Sequence, residues 1–211
     1  MEKHAFTDMR CFNLGGKLYP YHVNGHSEPG RIENSIFEIL PIISKARILD
    51  AGCSDGEGTK ELALIYPDAE ITGSDKIPER IDKAARKDIP GVNFVVDDLY
   101  DSRLGKERFD LVLCNFNVYY SLLFLLEKND KEGVFVEPSR IVQSVGDLVA
   151  QDGYLVLSGG IRDIGVFAAS FHKKKGRLHL SEKIQKRHAQ GYEDLRSIIG
   201  LAQRYRAGEQ Q

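Results

Sequence analysis

A glycine-rich stretch at residues 47–59 holds the residues whose types and spacing point most directly to ligand chemistry. A short apolar run ends in the carboxylate of Asp50, and the glycines lead into a helical pattern that begins near Thr59. Glycines in such a turn let the backbone approach a ligand that a Cβ atom would push away. The helix N-terminus beyond the turn offers unpaired N–H groups. The stretch therefore predicts a strand, a tight ligand-binding loop and a helix.

The glycine spacing and the charge of Asp50 argue against two common nucleotide sites. A dinucleotide site requires the pattern G-x-G-x-x-G, whereas the glycines here stand at positions 52, 56 and 58. A triphosphate site requires Lys and then Ser or Thr after the last glycine, whereas this chain has Thr59 followed by Lys60. Asp50 would repel a phosphate, but it would attract the ammonium and sulfonium groups of S-adenosylmethionine.

The motif Asp50-x-Gly52-x-Ser54-x-Gly56 resembles the first motif of the class I S-adenosylmethionine-dependent methyltransferases. The resemblance implies an α/β fold: a doubly wound, mostly parallel sheet with helices on both faces, which is the Rossmann-like methyltransferase fold. It also implies S-adenosylmethionine as the cofactor and S-adenosylhomocysteine as the product. The alternative for this loop alone is a fold connector without a ligand, because short glycine motifs are common.

Later segments have the pattern of buried strands that end in polar residues, as this fold requires. These strands are expected at residues 70–74, 92–96, 109–114 and 154–158. The segment F-D-L-V-L-C-N-F at 109–116 resembles the fourth motif of the family, and a helix is expected over 141–149. Because independent local signals agree, the set supports a cofactor site more strongly than the loop alone.

Asp75 follows the second of these strands and is the expected partner of the cofactor ribose. In this fold an acidic residue at that strand end accepts hydrogen bonds from ribose hydroxyls. Asp75 stands 25 positions after Asp50, close to the offset of about 20 expected for the role. The alternative role is the N-cap of a helix that begins at Pro78. Ile77 is apolar and suits an adenine face.

The resemblance assigns further cofactor contacts to the other strand ends and to the N-terminal lead-in. An acidic residue after the next strand is expected at the adenine amino group, where the strand ends favour Asp98 followed by Leu99, with Asp97 as the alternative. Arg31 is expected at the carboxylate end of the cofactor, with a surface charge as the alternative. The complete set implied for cofactor binding is Asp50, Gly52, Ser54, Gly56, Asp75, Lys76, Ile77, Asp98, Leu99, Asn115, Phe116 and Arg31.

No catalytic residue can be assigned from the sequence, because methyl transfer depends mainly on holding the acceptor and the methyl group in line. A general base is needed only if the acceptor must lose a proton. The candidates are His22, Asn115 and Tyr119, and the histidines at positions 26, 172 and 179 are further bases to consider, although a lone histidine is more often structural. The sequence shows no metal-ligand spacing, so no metal site is predicted.

The segment after Gly160 departs from the family pattern. The family has a helix and a β-hairpin here, whereas this chain shows one clear strand pattern, at residues 176–180. Residues 167–172 fit a helix or a strand, and helices are expected over 181–188 and 192–206. The C-terminal strands are therefore expected to be truncated or replaced by helix.

The expected organisation has three parts. Residues 1–44 form a lead-in with a hairpin between 9–13 and 17–23 and a lid helix over 32–40, residues 45–180 form the S-adenosylmethionine-binding α/β domain, and residues 181–211 form a basic helical segment. The lid helix is expected to lie over the cofactor pocket, as the resemblance implies.

Composition limits the classes of protein and partner. The chain has 211 residues with 42% hydrophobic and 28% charged residues, which fits a globular domain. The net charge is −2, but residues 172–211 hold ten Lys or Arg against four Asp or Glu, an asymmetry that marks either an RNA contact or a solvated helix face. No apolar run reaches the ~18 residues of a membrane span, and no secretory signal or disulfide framework is visible. A cytoplasmic protein without a membrane partner is expected.

The sequence thus predicts a methyltransferase that modifies an oxygen or nitrogen atom of a small-molecule acceptor. One alternative is a tRNA or rRNA methyltransferase that uses the basic residues 172–206. Another is a non-catalytic cofactor-binding module. A nicotinamide-dependent oxidoreductase is disfavoured by Asp50 and by the glycine spacing.

Overall fold

The computed structural model describes residues 9–14, 17–22, 39–115, 138–161, 165–186, 199–200 and 202–205. The strands of this part of the chain are β1 (Met9–Leu14), β2 (Lys17–His22), β3 (Arg47–Ala51), β4 (Glu70–Asp75), β5 (Val92–Val96), β6 (Phe109–Asn115), β7 (Val149–Ile161), β8 (Gly165–Lys174) and β9 (Arg177–Lys186). The helices are α1 (Glu57–Ile65), α2 (Pro78–Ala85) and α3 (Pro138–Leu148).

The main sheet has the strand order β5-β4-β3-β6-β7-β8-β9 in the described residues. Strands β3 to β7 pair in parallel, and β8 and β9 are added antiparallel to one edge. The α/β fold with a doubly wound, mostly parallel sheet is therefore confirmed. The central strands are continuous apolar runs because both of their faces are buried.

Alternate residues of each central strand enter two different cores, as the two-residue period of a strand requires. The core on one face contains Leu49 of β3, Val112 of β6 and Leu155 of β7, together with residues of α3. The core on the opposite face contains Ile48 and Val156, together with residues of α1. Helices thus cover both faces of the sheet and leave the strand ends to form a site.

Most strand and helix boundaries in the parallel part of the sheet agree closely with the sequence pattern. Strand β7 is the exception, since it covers Val149–Ile161 rather than the predicted 154–158. Strand β5 has the predicted bounds, and β4 and β6 each extend one residue further than expected, to Asp75 and Asn115. Helix α1 begins at Glu57, two residues before the expected Thr59. Helix α2 begins at Pro78 as predicted, since proline lacks the N–H that a first helical residue leaves unpaired.

The predicted truncation of the C-terminal strands, or their replacement by helix, is wrong. Strands β8 and β9 form a long antiparallel hairpin whose two-residue turn, Lys175-Gly176, has φ angles of 50° and 69°, as a type I′ turn requires. Residues 181–186 are therefore strand rather than helix, and the ambiguous segment 167–172 is strand. The reason is tertiary: backbone pairing with β8 outweighs the weak helix propensity of S-E-K-I-Q-K.

Lys173, which the sequence analysis counted with the basic tail, is fully buried. Its Nζ donates hydrogen bonds to the carbonyl oxygens of Gly146 at 3.1 Å and Val149 at 2.8 Å, at the end of α3. Burial lowers the pKa of Lys173. Tyr205 packs beside it and donates a hydrogen bond to Asp147 at 2.9 Å. The chain near residue 205 therefore belongs to the core, and one basic residue of the tail is unavailable to a partner.

The predicted N-terminal hairpin is confirmed by antiparallel pairing of β1 with β2, from Met9 with His22 to Leu14 with Lys17. The lid helix expected over 32–40 lies almost wholly outside the described residues. The division at residues 44 and 180 stays a prediction, although β9 runs through position 180. A search of the described helices finds none with the length and apolar character to cross a membrane.

Candidate cofactor site

The candidate site lies where the strand order reverses. Strand β3 pairs with β4 on one side and with β6 on the other, and open α/β sheets bind ligands outside the carboxyl ends of the strands at such a switch point. Asp50, Asp75 and Asn115 lie at the carboxyl ends of β3, β4 and β6, respectively. The topology therefore brings together three polar residues that are distant in the sequence.

The glycine-rich loop folds over the end of β4. The backbone N–H groups of Gly52 and Cys53 both donate to the carbonyl oxygen of Ser74, at 2.7 and 2.8 Å. The loop turns through left-handed backbone conformations at Gly52, Ser54 and Gly56, with φ angles of 81°, 54° and 84°. Ser54 adopts this conformation without the freedom of glycine, and its N–H donates to the Asp75 carboxylate at 3.1 Å.

Gly56 is required by packing inside the protein. A Cβ atom at this position would lie 2.9 Å from Cβ of Ala84 in α2 and 2.9 Å from Cζ of Phe94 in β5. The loop is thus pressed against both elements. The expected approach of a ligand to this glycine stays a prediction, and the packing is a separate reason for the residue.

Asp50 is a buried carboxylate with 4% exposure. Its Oδ2 accepts a 2.6 Å hydrogen bond from Oγ1 of Thr59, in the first turn of α1. Burial raises the pKa of Asp50 to about 6, the Thr59 bond opposes this rise, and the negative charge of Asp75 adds to it. A cation beside Asp50 would stabilise the ionised carboxylate and offset the cost of burying its charge. This part of the site therefore favours a positively charged ligand.

Asp75 is also buried, and the protein fixes its carboxylate from two sides. Oδ2 accepts from the Ser54 N–H, and Oδ1 accepts from the Ile77 N–H at 2.9 Å. Arg80 approaches Oδ2 at 3.5 Å. A carboxylate has about four acceptor positions, so the group can still accept a ligand hydroxyl. The N-cap of α2 is Ile77 rather than Asp75, so the alternative N-cap role is not observed.

The two acidic residues after β5 have different surroundings. Asp98 is exposed, and its Oδ1 accepts from the Tyr100 N–H at 3.0 Å. Asp97 is buried, and its Oδ1 accepts from the Arg103 N–H at 2.9 Å. The Oδ2 atom of Asp97 is buried without a hydrogen-bond partner in the described part of the chain. Both residues therefore lie at the strand end with acceptor capacity, and Lys76 nearby is exposed.

Ser158 is a site residue that the sequence analysis did not single out. It lies in β7 and is the last residue that pairs with β6, opposite Asn115, and its Oγ donates a 2.6 Å hydrogen bond to Oδ1 of Asn115. Both side chains are buried. The available signal was a polar residue directly after the apolar run 154–157, since the same feature had marked Asp75 and Asn115.

The model of the methyltransferase domain family matches residues 48–146, which run from β3 through α3. Residues 48–146 are thus a methyltransferase domain. The matched segment contains the glycine-rich loop and the polar ends of β3 to β6.

Individual relatives of this methyltransferase domain match over limited lengths. A malonyl-(acyl-carrier protein) O-methyltransferase of Legionella pneumophila is 31% identical over 121 residues, which cover 54% of this chain and 43% of that protein. A trans-aconitate 2-methyltransferase of Methylobacterium nodulans is 38% identical over 60 residues, which cover 28% of this chain and 23% of that protein. The alignments therefore span less than half the length of these relatives. A crystal structure of a SAM-dependent methyltransferase from Aquifex aeolicus matches with a TM-score of 0.48 and 13% identity, over 59% of this chain and 62% of that chain.

Several residues expected at the methyltransferase site are not brought to it or lie outside the described residues. Arg31, Phe116 and Tyr119 lie outside them, and of His22 only the backbone, in β2, is described. His172 pairs with Tyr154, about 13 Å along β7 from Ser158 at ~3.3 Å per residue. His179 pairs with His172, so both histidines lie toward the amino ends of the parallel strands, away from the candidate site.

The described ranges contain no group of three or more His, Cys, Asp or Glu side chains that could hold a metal ion.

Proposed function

We propose that this protein transfers a methyl group from S-adenosylmethionine to an oxygen or nitrogen atom of a small-molecule acceptor. One observation carries the proposal: two buried carboxylates, Asp50 and Asp75, flank the glycine-rich loop at the switch point of a methyltransferase-family sheet. Buried carboxylates are costly unless they meet donors or cations. A ligand with hydroxyl donors and positive charge supplies both.

The residues present fit the chemistry of this cofactor. Asp75 offers acceptor positions to the ribose hydroxyls, and its carboxylate is already oriented by the N–H groups of Ser54 and Ile77. Asp50 offers negative charge to the ammonium and sulfonium end. The exposed carboxylate of Asp98 and the Oδ2 of Asp97, which has no hydrogen-bond partner among the described residues, both suit the adenine amino group. A pyrophosphate would be repelled by the same carboxylates.

Methyl transfer requires the protein mainly to orient the reacting atoms. When bound, the cofactor supplies a methyl group on a sulfonium, from which a neutral thioether departs. The residues at the switch point hold the nucleoside and the amino-acid end, so that the reacting atoms meet in line, which is a proximity effect. An acceptor that must lose a proton requires a base. Since His172 and His179 lie toward the amino ends of the parallel strands, His22 and His26 remain the candidate bases. Asn115 and Tyr119 remain the other catalytic candidates.

A small-molecule acceptor is supported by the relatives and by part of the basic tail. The relatives from Legionella pneumophila and Methylobacterium nodulans are a malonyl-(acyl-carrier protein) O-methyltransferase and a trans-aconitate 2-methyltransferase, so one is named for a carboxylic acid carried on a protein and the other for a small organic acid. An RNA methyltransferase would need its basic residues near the site. Lys173 is buried, and Lys174, Lys175 and Arg177 lie around the β8–β9 turn, away from the carboxyl ends of the parallel strands. Lys183 and Lys186 of β9 lie level with Leu157 and Gly160 of β7, so these two positions are the ones that the RNA alternative would use.

Calorimetric titration with S-adenosylmethionine, S-adenosylhomocysteine and NAD tests the proposal. We expect the wild type to bind the two sulfur compounds and not NAD. Asp75→Ala should weaken binding by about 1–3 kcal/mol, because ribose hydroxyls lose a charged acceptor. Asp68→Ala, which removes an exposed carboxylate before β4, is the matched control and should bind like wild type.

If neither sulfur compound binds the folded wild type, the proposed function is wrong. If binding is observed, organic acids and other small acceptors should be screened with a labelled methyl group, and bulk RNA should be included as a competing acceptor. Label transfer to RNA alone would replace the small-molecule acceptor with the RNA alternative.

A further inference from the structure

Lys87 lies just after helix α2 and forms ion pairs with two acidic residues of the glycine-rich loop and the helix that follows it. Its Nζ lies 2.5 Å from Oε1 of Glu57 and 3.6 Å from Oδ2 of Asp55. The Lys87 side chain is only 25% exposed. Oδ1 of Asp55 is buried without a hydrogen-bond partner in the part of the chain that the structure describes. Lys87 thus connects the end of α2 to the residues on either side of Gly56.

The same end of α2 also holds the loop by packing. Ala84 is the residue of α2 that an added Cβ on Gly56 would meet at 2.9 Å. The Lys87 N–H donates to the carbonyl oxygen of Ala84 at 3.1 Å, so the packing contact and the ion pairs belong to one turn of the backbone. This turn therefore contacts Gly56 and pairs with both of its neighbours in the chain.

The loop requires such restraint because of the conformation of Ser54. This residue has a φ angle of 54°, in a region that is unfavourable for residues with a Cβ atom. In this conformation its N–H donates to the Asp75 carboxylate at 3.1 Å. Asp55, the next residue in the chain, is the one that Lys87 attracts. A loop that relaxed at Ser54 would release the Asp75 carboxylate without any change at Asp75 itself.

Lys87 also offsets repulsion between the two carboxylates. Those of Asp55 and Glu57 both lie within 3.6 Å of one nitrogen atom, so they are close enough to repel each other once that cation is removed. Removal of Lys87 therefore acts on the loop twice, by loss of attraction to α2 and by gain of repulsion on either side of Gly56.

We infer that Lys87 is a positioning residue of the cofactor site: its ion pairs with Asp55 and Glu57 keep the loop in the conformation in which the Ser54 N–H orients Asp75. Lys87 needs no contact with the ligand for this role. The inference rests on the proposed function and assigns a part in it to the C-terminal end of α2.

A double-mutant cycle between positions 87 and 75 tests the inference. Calorimetry should give the affinity for S-adenosylhomocysteine of wild type, Lys87→Met, Asp75→Ala and the double variant. We expect Lys87→Met to weaken binding about two- to fivefold, the size of partly exposed ion pairs. In the Asp75→Ala background the same change should have little effect, because Lys87 acts through Asp75.

Two control variants and a second ligand separate positioning from charge alone. Lys87→Arg should keep most of the affinity, because a guanidinium can pair with two carboxylate oxygens. Arg86→Met removes the neighbouring exposed charge and should match wild type. Lys87→Met should also weaken binding of S-adenosylmethionine, whereas a charge that acted only at a distance would strengthen binding of this cation when removed.

Unchanged affinity for S-adenosylhomocysteine in Lys87→Met would overturn the inference and leave the proposed function standing, even if urea unfolding showed a loss of stability. An equal loss in the Asp75→Ala background, or stronger binding of S-adenosylmethionine, would overturn it as well. If Lys87→Met fails to fold, Glu57→Gln, which weakens the shorter ion pair, decides by the same cycle. If wild type binds neither ligand, the proposed function fails and this inference fails with it.

Discussion

Replacing Gly56 with alanine separates the two reasons for a glycine at the centre of the cofactor loop. The residue has a φ angle of 84°, and an added Cβ would lie 2.9 Å from Ala84 and 2.9 Å from the Phe94 ring. A left-handed conformation costs a non-glycine residue roughly 1–2 kcal/mol. Inserting a methyl group into a packed core costs about 1–3 kcal/mol. The sum is a destabilisation of about 2–5 kcal/mol.

Two other glycines isolate the separate contributions. Gly105 has a φ angle of 88° and no atom within 4 Å of an added Cβ, so Gly105→Ala should cost only the backbone part, about 1–2 kcal/mol. An added Cβ at Gly73 would lie 2.6 Å from the Phe94 ring, and its φ angle is not in the left-handed region. Gly73→Ala should therefore cost only the packing part, about 1–3 kcal/mol.

The assay is urea unfolding of the three variants and the wild type, with the midpoint and the slope compared for each. Adding Phe94→Leu to Gly56→Ala should recover part of the packing loss, and a double-mutant cycle measures that coupling. Gly56→Ala should also weaken S-adenosylhomocysteine binding, because the displaced loop carries Ser54, which fixes Asp75. Gly105→Ala should leave that affinity unchanged.

The reasoning is refuted if Gly56→Ala is no less stable than Gly105→Ala. In that case the contacts with Ala84 and Phe94 would not constrain the loop. Zero coupling between positions 56 and 94 would contradict the packing argument in particular, whatever the size of the single effects.

Two further predictions concern titration and the C-terminal core. Burial raises the pKa of Asp50 to about 6, so its contribution to stability is fully present below the unfolded pKa, near 4, and is lost as pH rises through about 6. The difference in unfolding free energy, wild type minus Asp50→Asn, should therefore fall by about 3 kcal/mol between pH 4 and 7. If this difference does not change with pH, the raised pKa of Asp50 is contradicted. Lys173→Met should destabilise the protein by about 2–4 kcal/mol, because two buried carbonyl oxygens lose a charged donor. Lys174→Met at the neighbouring exposed position is the control and should change stability by less than about 0.5 kcal/mol. Thermal unfolding measures both variants. Similar losses of stability for Lys173→Met and Lys174→Met would show that Lys173 is not a structural donor.

Local patterns in the sequence were sufficient to predict two strands that are buried on both faces. The apolar runs that became β3 and β6 were predicted with almost the observed bounds, since a buried parallel strand must be apolar along its whole length. The bounds of β5 were also predicted, although this strand lies at the edge of the sheet and is only partly buried. The polar residue that ends each run identified Asp50, Asp75 and Asn115 for the same reason. Such signals need only the neighbouring residues in the chain.

The sequence did not predict features that depend on contacts between distant segments. The segment S-E-K-I-Q-K has no strand signal of its own, and it becomes part of β9 because β8 pairs with it. Lys173 has the sequence context of a solvated basic run, and it is buried because the end of α3 presents carbonyl oxygens to it. Gly56 was predicted from a glycine-rich turn, whereas its packing partners belong to α2 and β5.

By itself the sequence determined the alternation of strands and helices, the carboxylates at the strand ends and the family to which these motifs belong, because each is encoded in a few consecutive residues. Only the tertiary structure decided that Ser158 is hydrogen-bonded to Asn115, that the Ser54 N–H donates to Asp75, and that two candidate histidines lie toward the amino ends of the parallel strands. Those relations follow from strand order and register, which bring together residues from distant parts of the chain.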